Sequence, residues 1–239
     1  MKRQNVRKLV IIISMLLFPI TIYYFSPYLI IQGASEGIIT GSFIVFAAML
    51  VGSMLFGRIF CAYLCPAGGI MECAALINNK NPKQGWKNNI KYVTWFLWIA
   101  GIITAFVFRK KEITVDFFYA TNHGISIANI YAYIVYYGIV FLFFIPAVIA
   151  GKRTLCHYLC WMAPFMVIGT KAGRLLHLKQ LRLTSNKELC TNCHACDRYC
   201  PMGLKVNDKV QEENLYDAEC ILCGECIDHC PKKVINYKF

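Results

Sequence analysis

Eight of the thirteen cysteines stand near the end of the chain in two copies of one spacing. Cys190, Cys193, Cys196 and Cys200 are followed by Pro201, and Cys220, Cys223, Cys226 and Cys230 by Pro231, so both runs read C-x-x-C-x-x-C-x-x-x-C-P. In such a run the first three thiolates hold one four-iron cube and the fourth reaches across to the other. The expected ligand sets are Cys190, Cys193 and Cys196 with Cys230, and Cys220, Cys223 and Cys226 with Cys200. Structural zinc fits less well, because zinc sites pair two short knuckles rather than two runs of four closed by proline. Four disulfides would be chemically feasible, but bridges persist in oxidising compartments, and the orientation argued below puts this tail on the reducing side.

The rest of the chain is of another kind. Hydrophobic residues make up 57% and charged residues 16% of the 239, which marks a membrane protein. The net charge of +12 raises the question of nucleic acid. From Lys187 onward, however, seven basic residues face nine acidic ones, so the positive charge lies upstream, beside apolar spans. That distribution fits membrane flanks better than a nucleic-acid groove, so no nucleic-acid partner is expected.

Four spans approach the ~20 apolar residues that a bilayer core requires: Leu9 to Phe25, Ile38 to Phe56, Tyr92 to Phe108 and Ile130 to Ala150. The first follows Lys2, Arg3, Arg7 and Lys8 but is long for a signal peptide and lacks a small-residue cleavage site, so it reads as a retained helix bent at Pro19. The first connection carries only Glu36, whereas the second carries Arg58, Lys80, Lys83, Lys87 and Lys91. Positive charge marks the inside, although Arg109, Lys110 and Lys111 fall on the outer side. The expected fold is thus a membrane α-helical domain over 1–180, with four transmembrane helices in two repeated hairpins. An α+β two-cluster bacterial ferredoxin domain over 181–239 follows it. Both termini are expected on the cytoplasmic side of the inner membrane. Ile70 to Ile77 and Trp161 to Gly169 are too short to span and read as interfacial or re-entrant segments, the second leading into a basic amphipathic helix. Within the tail, Leu204 to Val206, Tyr216 to Glu219 and Val234 to Phe239 read as strands.

A second cysteine pattern lies in the membrane part. The second span ends in GRIFCAYLCPAGG and the fourth in GKRTLCHYLCWMAP, an internal repeat ninety-five residues apart that aligns Arg58 with Arg153 and Cys61 and Cys65 with Cys156 and Cys160. Cysteines four apart share a helix face, and two such pairs supply four thiolates. Two readings stand open: a third iron–sulfur site at the membrane face, or small residues packing where helices crowd. Cys73 lacks a counterpart and reads as packing. His157 is read either as a ligand or proton relay or as a hydrogen-bonded interfacial residue, and His194 and His229 as donors to cluster sulfur. No facing pair of intramembrane histidines supports haem, and no nucleotide or hydrolase motif occurs.

Four apolar spans, GRIFCAYLCP, a second C-x-x-x-C half and two terminal cysteine runs together resemble the polyferredoxin-like membrane 4Fe-4S proteins. That family includes the quinol-oxidising membrane ferredoxin subunit of periplasmic nitrate reductase systems. The chain departs from it at Cys160-Trp161, where the family has cysteine–proline. The resemblance implies an electron-transfer subunit rather than a stand-alone enzyme, with two [4Fe-4S] clusters, a quinone or quinol or a cytoplasmic donor on one side and a redox partner protein on the other. An accessory factor for assembling or activating a respiratory metalloenzyme is the competing expectation.

Overall fold

The computed structural model describes residues 2–82, 85–109 and 112–239; Lys83, Lys110 and Lys111 of the charge argument lie outside them. The N-terminal segment forms α1 (Lys2–Leu16) and α2 (Phe18–Thr21), which runs on as a 3-10 turn to Phe25, and the two parts meet at 58°. Pro19 lies in the first turn of α2, where its missing N–H leaves no bond unmade, so it opens a new helix at the bend. The expected connection is instead a helix, α3 (Pro27–Glu36), with Ser26 accepting from the Leu29 N–H at 3.4 Å and Gly37 closing it at φ 77°.

Ile38 does not begin a span. It opens β1 (Ile38–Thr40), which pairs in parallel with β2 (Thr114–Asp116). What remains, α4 (Gly41–Phe56), has 16 residues, or ~24 Å against a ~30 Å bilayer core. Among the described residues two helices are long and apolar enough to cross a membrane, α7 (Ile90–Val107, extended by the turn from Trp86) and α8 (Ile130–Ala150), and the number is three if the bent α1–α2 pair counts as one span.

Each cysteine motif breaks into two short helices: α5 (Ile59–Tyr63) and α6 (Pro66–Ala74) in the first half, α9 (Thr154–Tyr158) and α10 (Ala163–Leu175) in the second. Most of α6 and the inner face of α10 are buried in the protein, whereas Ile168 and Leu175 of α10 are exposed. The halves exchange these helices, α10 packing on α4 and α6 on α8. Small residues allow the approach: a Cβ on Gly169 would stand 2.5 Å from the Leu50 carbonyl oxygen, and one on Gly69 2.8 Å from that of Ile11 in α1. The basic amphipathic helix expected around Lys171, Arg174, Lys179 and Arg182 forms only in part: Lys171 and Arg174 lie in the last turns of α10, which stops at Leu175 before Lys179 and Arg182.

The tail begins with β3 (Arg182–Ser185), antiparallel to β4 (Ile235–Lys238) with Leu183 opposite Tyr237. Between them lie α11 (Ala195–Tyr199), α12 (Val206–Gln211) and α13 (Glu225–Asp228). Of the three expected strands only the last forms. Leu204 leads into α12, and residues 216–219 form no strand, with a turn at 218–219.

Candidate metal centre

Two small cavities in the tail are each rimmed by four cysteines. One, of about 20 Å³, is lined by Cys190, Cys193, Cys196 and Cys230. The other, of about 30 Å³, is lined by Cys200, Cys220, Cys223 and Cys226. The fourth cysteine of each run therefore lies with the first three of the other. Among the described residues no three His, Cys, Asp or Glu side chains converge on a single ion. A cube bound at its corners instead needs thiols spread around a space.

The loops are shaped for an anion. Asn192 and His194 in the first run, and Leu222 and Gly224 at the same positions of the second, all have positive φ. Left-handed residues in such loops turn backbone N–H groups toward one point. The N–H of Leu222 accordingly serves Cys220, that of Glu225 serves Cys223, and that of Ala195 serves Cys193. Burial pushes the Cys200 thiol to about 12 and that of Cys196 to about 11. Such thiols stay protonated at neutral pH unless positive metal stands among them, so loading metal releases protons. Cys193 is exposed, and the Ala195 N–H lowers its pKa. In the tail, His194 Nδ1 lies 2.9 Å from Asp197 Oδ2, and His229 stacks on Tyr199 at 3.6 Å with Nδ1 3.0 Å from the Glu225 carbonyl.

Cys61, Cys65, Cys156 and Cys160 are all buried, and the structure gathers them. After burial itself, Cys61, Cys156 and Cys160 are the largest influences raising the Cys65 pKa. They do not share helix faces as expected. Cys61 and Cys156 sit within α5 and α9, whereas Cys65 is extended (φ −75°, ψ 116°) because the residue before a proline is kept out of the helical region. Arg58 and Arg153, equivalent in the repeat, both lie against the thiols. Burial weakens the Arg58 charge, but Cys61, Glu219, Cys156 and Cys160 around it outweigh that and raise its pKa. Burial and Lys91 hold His157 down to about 4, so it is neutral. Arg58 Nε and Nη2, Arg153 Nε and both His157 ring nitrogens are buried without a hydrogen-bond partner among the described residues. A buried orphan donor costs ~1–3 kcal/mol. An anionic, acceptor-rich group held by the four thiolates would satisfy several at once, so the donor set fits a cluster. Cys73 stands apart, its Sγ 3.9 Å from Met15 Sδ.

Buried ion pairs join the membrane domain to the second cysteine run, and the sequence reading did not anticipate them. Arg7 bonds Glu72 at 2.8 Å and Glu225 at 2.9 Å, Arg153 bonds Glu72 at 2.9 Å, and Glu219 takes both Arg58 (2.5 Å) and Lys91 (2.6 Å). Gln4 Nε2 donates to the Cys223 carbonyl at 3.0 Å. The Cys200/220/223/226 set is thus held against the membrane domain, and the set with exposed Cys193 lies beyond it. On the opposite side of Cys65 an apolar cavity of about 520 Å³ opens among Phe18, Ile22, Gln32, Phe143 and Trp161. Trp161, on its wall, has its Nε1 donor buried without a partner among the described residues.

Residues 189–235 match the 4Fe-4S dicluster domain family, and residues 38–84 match a family described as a 4Fe-4S binding domain. The chain carries 4Fe-4S domains of the ferredoxin type. This iron–sulfur protein is 21% identical to an uncharacterised protein of Methanocaldococcus jannaschii over 80% of its own length and 76% of the relative's. It is 22% identical to the putative electron transport protein YccM of Escherichia coli, covering 85% of the chain and 57% of the relative. With the ferredoxin-type protein NapH of Haemophilus influenzae it shares 23% identity over 79% of the chain and 65% of the relative. No solved structure matches it. Iron–sulfur electron transfer with two [4Fe-4S] clusters is its function, and its apolar helices make it a membrane protein.

Proposed function

We propose that this protein passes electrons between a quinol/quinone pool in the bilayer and a redox partner protein at the outer end of its tail. In this reading the bent α1–α2 pair, α4, α7 and α8 form two membrane hairpins, with both termini and the tail on the cytoplasmic side of the inner membrane. Cys190, Cys193, Cys196 and Cys230 hold one cluster, Cys200, Cys220, Cys223 and Cys226 the second, and Cys61, Cys65, Cys156 and Cys160 a third. When bound, the clusters supply one-electron transfer at thiolate-held iron. The protein's own residues set the order of the sites. Gln4, Arg7 and Arg58 fix the second tail set beside the membrane motif, Arg58 and Arg153 offset the negative charge of the four buried thiolates, and exposed Cys193 marks the end open to a partner.

The observation that carries the quinol reading is the apolar cavity ending on Cys65. Its volume of about 520 Å³ lies in the range of small-molecule sites, and Trp161 and Gln32 are polar groups on its wall. Val135 lines the cavity and is 60% exposed. Anaerobic mixing with a quinol analogue should reduce the parent protein, and Val135→Trp, with iron content unchanged, should slow that reduction about tenfold or more while dithionite acts as before. Equal quinol rates in parent and variant would remove the cavity from the reading. Failure of any quinol to reduce the parent would remove quinol.

A further inference from the structure

We propose that the groove where the tail meets the membrane domain binds an anionic phospholipid of the surrounding bilayer. A cavity of about 590 Å³ opens between the end of α10, β3 and the 213–217 loop, and Arg174, His177, Lys179, Arg182 and Ser185 are on its wall. From Lys171 to Arg182 the chain has four lysines and arginines and no acidic residue. Among the described residues none of the four enters an ion pair. The buried basic residues behave differently: Arg7, Arg58, Lys91 and Arg153 are all consumed by carboxylates. Two acidic residues, Glu213 and Asp217, stand on the far rim, and Asp217 is held by Lys209 at 3.3 Å. The groove therefore presents uncompensated positive charge.

Two features point to a phosphate. The Arg174 guanidinium lies 3.9 Å over the Tyr216 ring, which holds its planar fork at the cavity wall in the form that pairs two phosphate oxygens. Ser185, on the same wall, has its Oγ buried without a hydrogen-bond partner among the described residues. A third feature points to a lipid rather than a soluble phosphate. Leu175, Leu176 and Leu178, beside the rim, are 78%, 62% and 41% exposed. Basic side chains around a pocket with bare apolar side chains at its edge match a charged headgroup with acyl chains, and basic pockets at the membrane face recognise anionic headgroups by this chemistry. Cys220 lines the inner wall. Negative charge bound there disfavours added electrons on the metal that Cys220 holds and moves its reduction potential downward.

The full-length, iron-loaded protein in detergent, incubated separately with phosphatidylglycerol, phosphatidylcholine and glycerol 3-phosphate and analysed by native mass spectrometry, tests the proposal. Phosphatidylglycerol should be retained about tenfold better than phosphatidylcholine, and Arg174→Gln with Arg182→Gln should abolish the preference at unchanged iron content. If the Arg174 variant loses iron, Lys179→Gln with Arg182→Gln, at exposed positions, should at least halve the retained phosphatidylglycerol. Equal retention of the two lipids, or full retention by the iron-loaded variants, would overturn the site. Glycerol 3-phosphate binding as tightly as phosphatidylglycerol would overturn the lipid as its occupant.

Discussion

Arg58, at the start of the first membrane motif, reaches 161 positions along the chain to Glu219, with Nη1 2.5 Å from Oε2 and the arginine side chain wholly buried. Glu219 immediately precedes Cys220 and also takes Lys91, so one carboxylate balances two buried cations where the tail docks. Removing one partner of a buried pair leaves an uncompensated charge and costs ~3–5 kcal/mol. Glu219→Gln should therefore lower unfolding stability by about that amount and expose the junction near Leu181 to protease. A loss below ~1 kcal/mol in denaturant titration of iron-loaded protein would show that the pair contributes little to docking.

Glu72 plays the corresponding part for Arg153, the equivalent arginine of the other half. Burial raises the pKa of its carboxyl, but Arg153 and Arg7 outweigh burial and hold it at about 2. A depressed carboxylate contributes stability that is complete above its unfolded pKa of about 4.3 and is lost as pH falls through the folded value. Parent stability should fall between about pH 5 and pH 2, with a share on the order of 3 kcal/mol from Glu72. Glu72→Gln should be less stable at pH 7 and show a shallower fall on acidification. Parallel pH curves for parent and variant would contradict this.

The eight tail cysteines and their sorting into two sets could be read from spacing, because the loop between ligands leaves a cube few ways to be wrapped. Cys61, Cys65, Cys156 and Cys160 were legible as a repeat. Their helix geometry was not, since Pro66 and the loop before Pro164 break each motif in two. Arg7, Arg58, Lys91 and Arg153 were read as membrane flanks by charge count alone. Their partners Glu72, Glu219 and Glu225 lie far along the chain or in the other half, and no local pattern records such pairing. The shortened second span had a visible signal in Thr40, whose Oγ1 caps α4 by accepting from the Phe43 N–H at 3.4 Å. An apolar count ignores caps.

Exposure separates the two tail sites. Cys193 is exposed, whereas Cys200, Cys223 and Cys226 are buried. Oxidants and chelators reach thiolates in proportion to access. Brief ferricyanide treatment should therefore destroy the site with Cys190, Cys193, Cys196 and Cys230 first, leaving about half of the tail iron and one spectroscopic signal. Cys193→Ser should show the same remaining signal without oxidant. Simultaneous loss of both signals would mean that the sites are equally accessible or collapse together.

The membrane motif makes the sharpest division between chemistry and packing. If Cys61, Cys65, Cys156 and Cys160 hold one cluster, Cys61→Ser and Cys156→Ser should each remove about four irons per chain and the same signal, since each breaks the same set. The eight tail cysteines should keep theirs. If the four merely pack, exchanging a thiol for a hydroxyl should leave the iron unchanged and cost only about 1 kcal/mol. The orphan donors sharpen the test. Arg58 Nε and Nη2, Arg153 Nε and the His157 ring nitrogens have no partner among the described residues, so a site emptied of its cluster leaves them unpaired in the interior. The iron-depleted Cys156→Ser variant should then lose more stability than the thiol exchange explains, by ~1–3 kcal/mol for each donor left dry. Iron per chain and denaturant midpoints, measured together on the parent and both variants, decide between the two. A parent with about eight irons at full loading would exclude the third cluster.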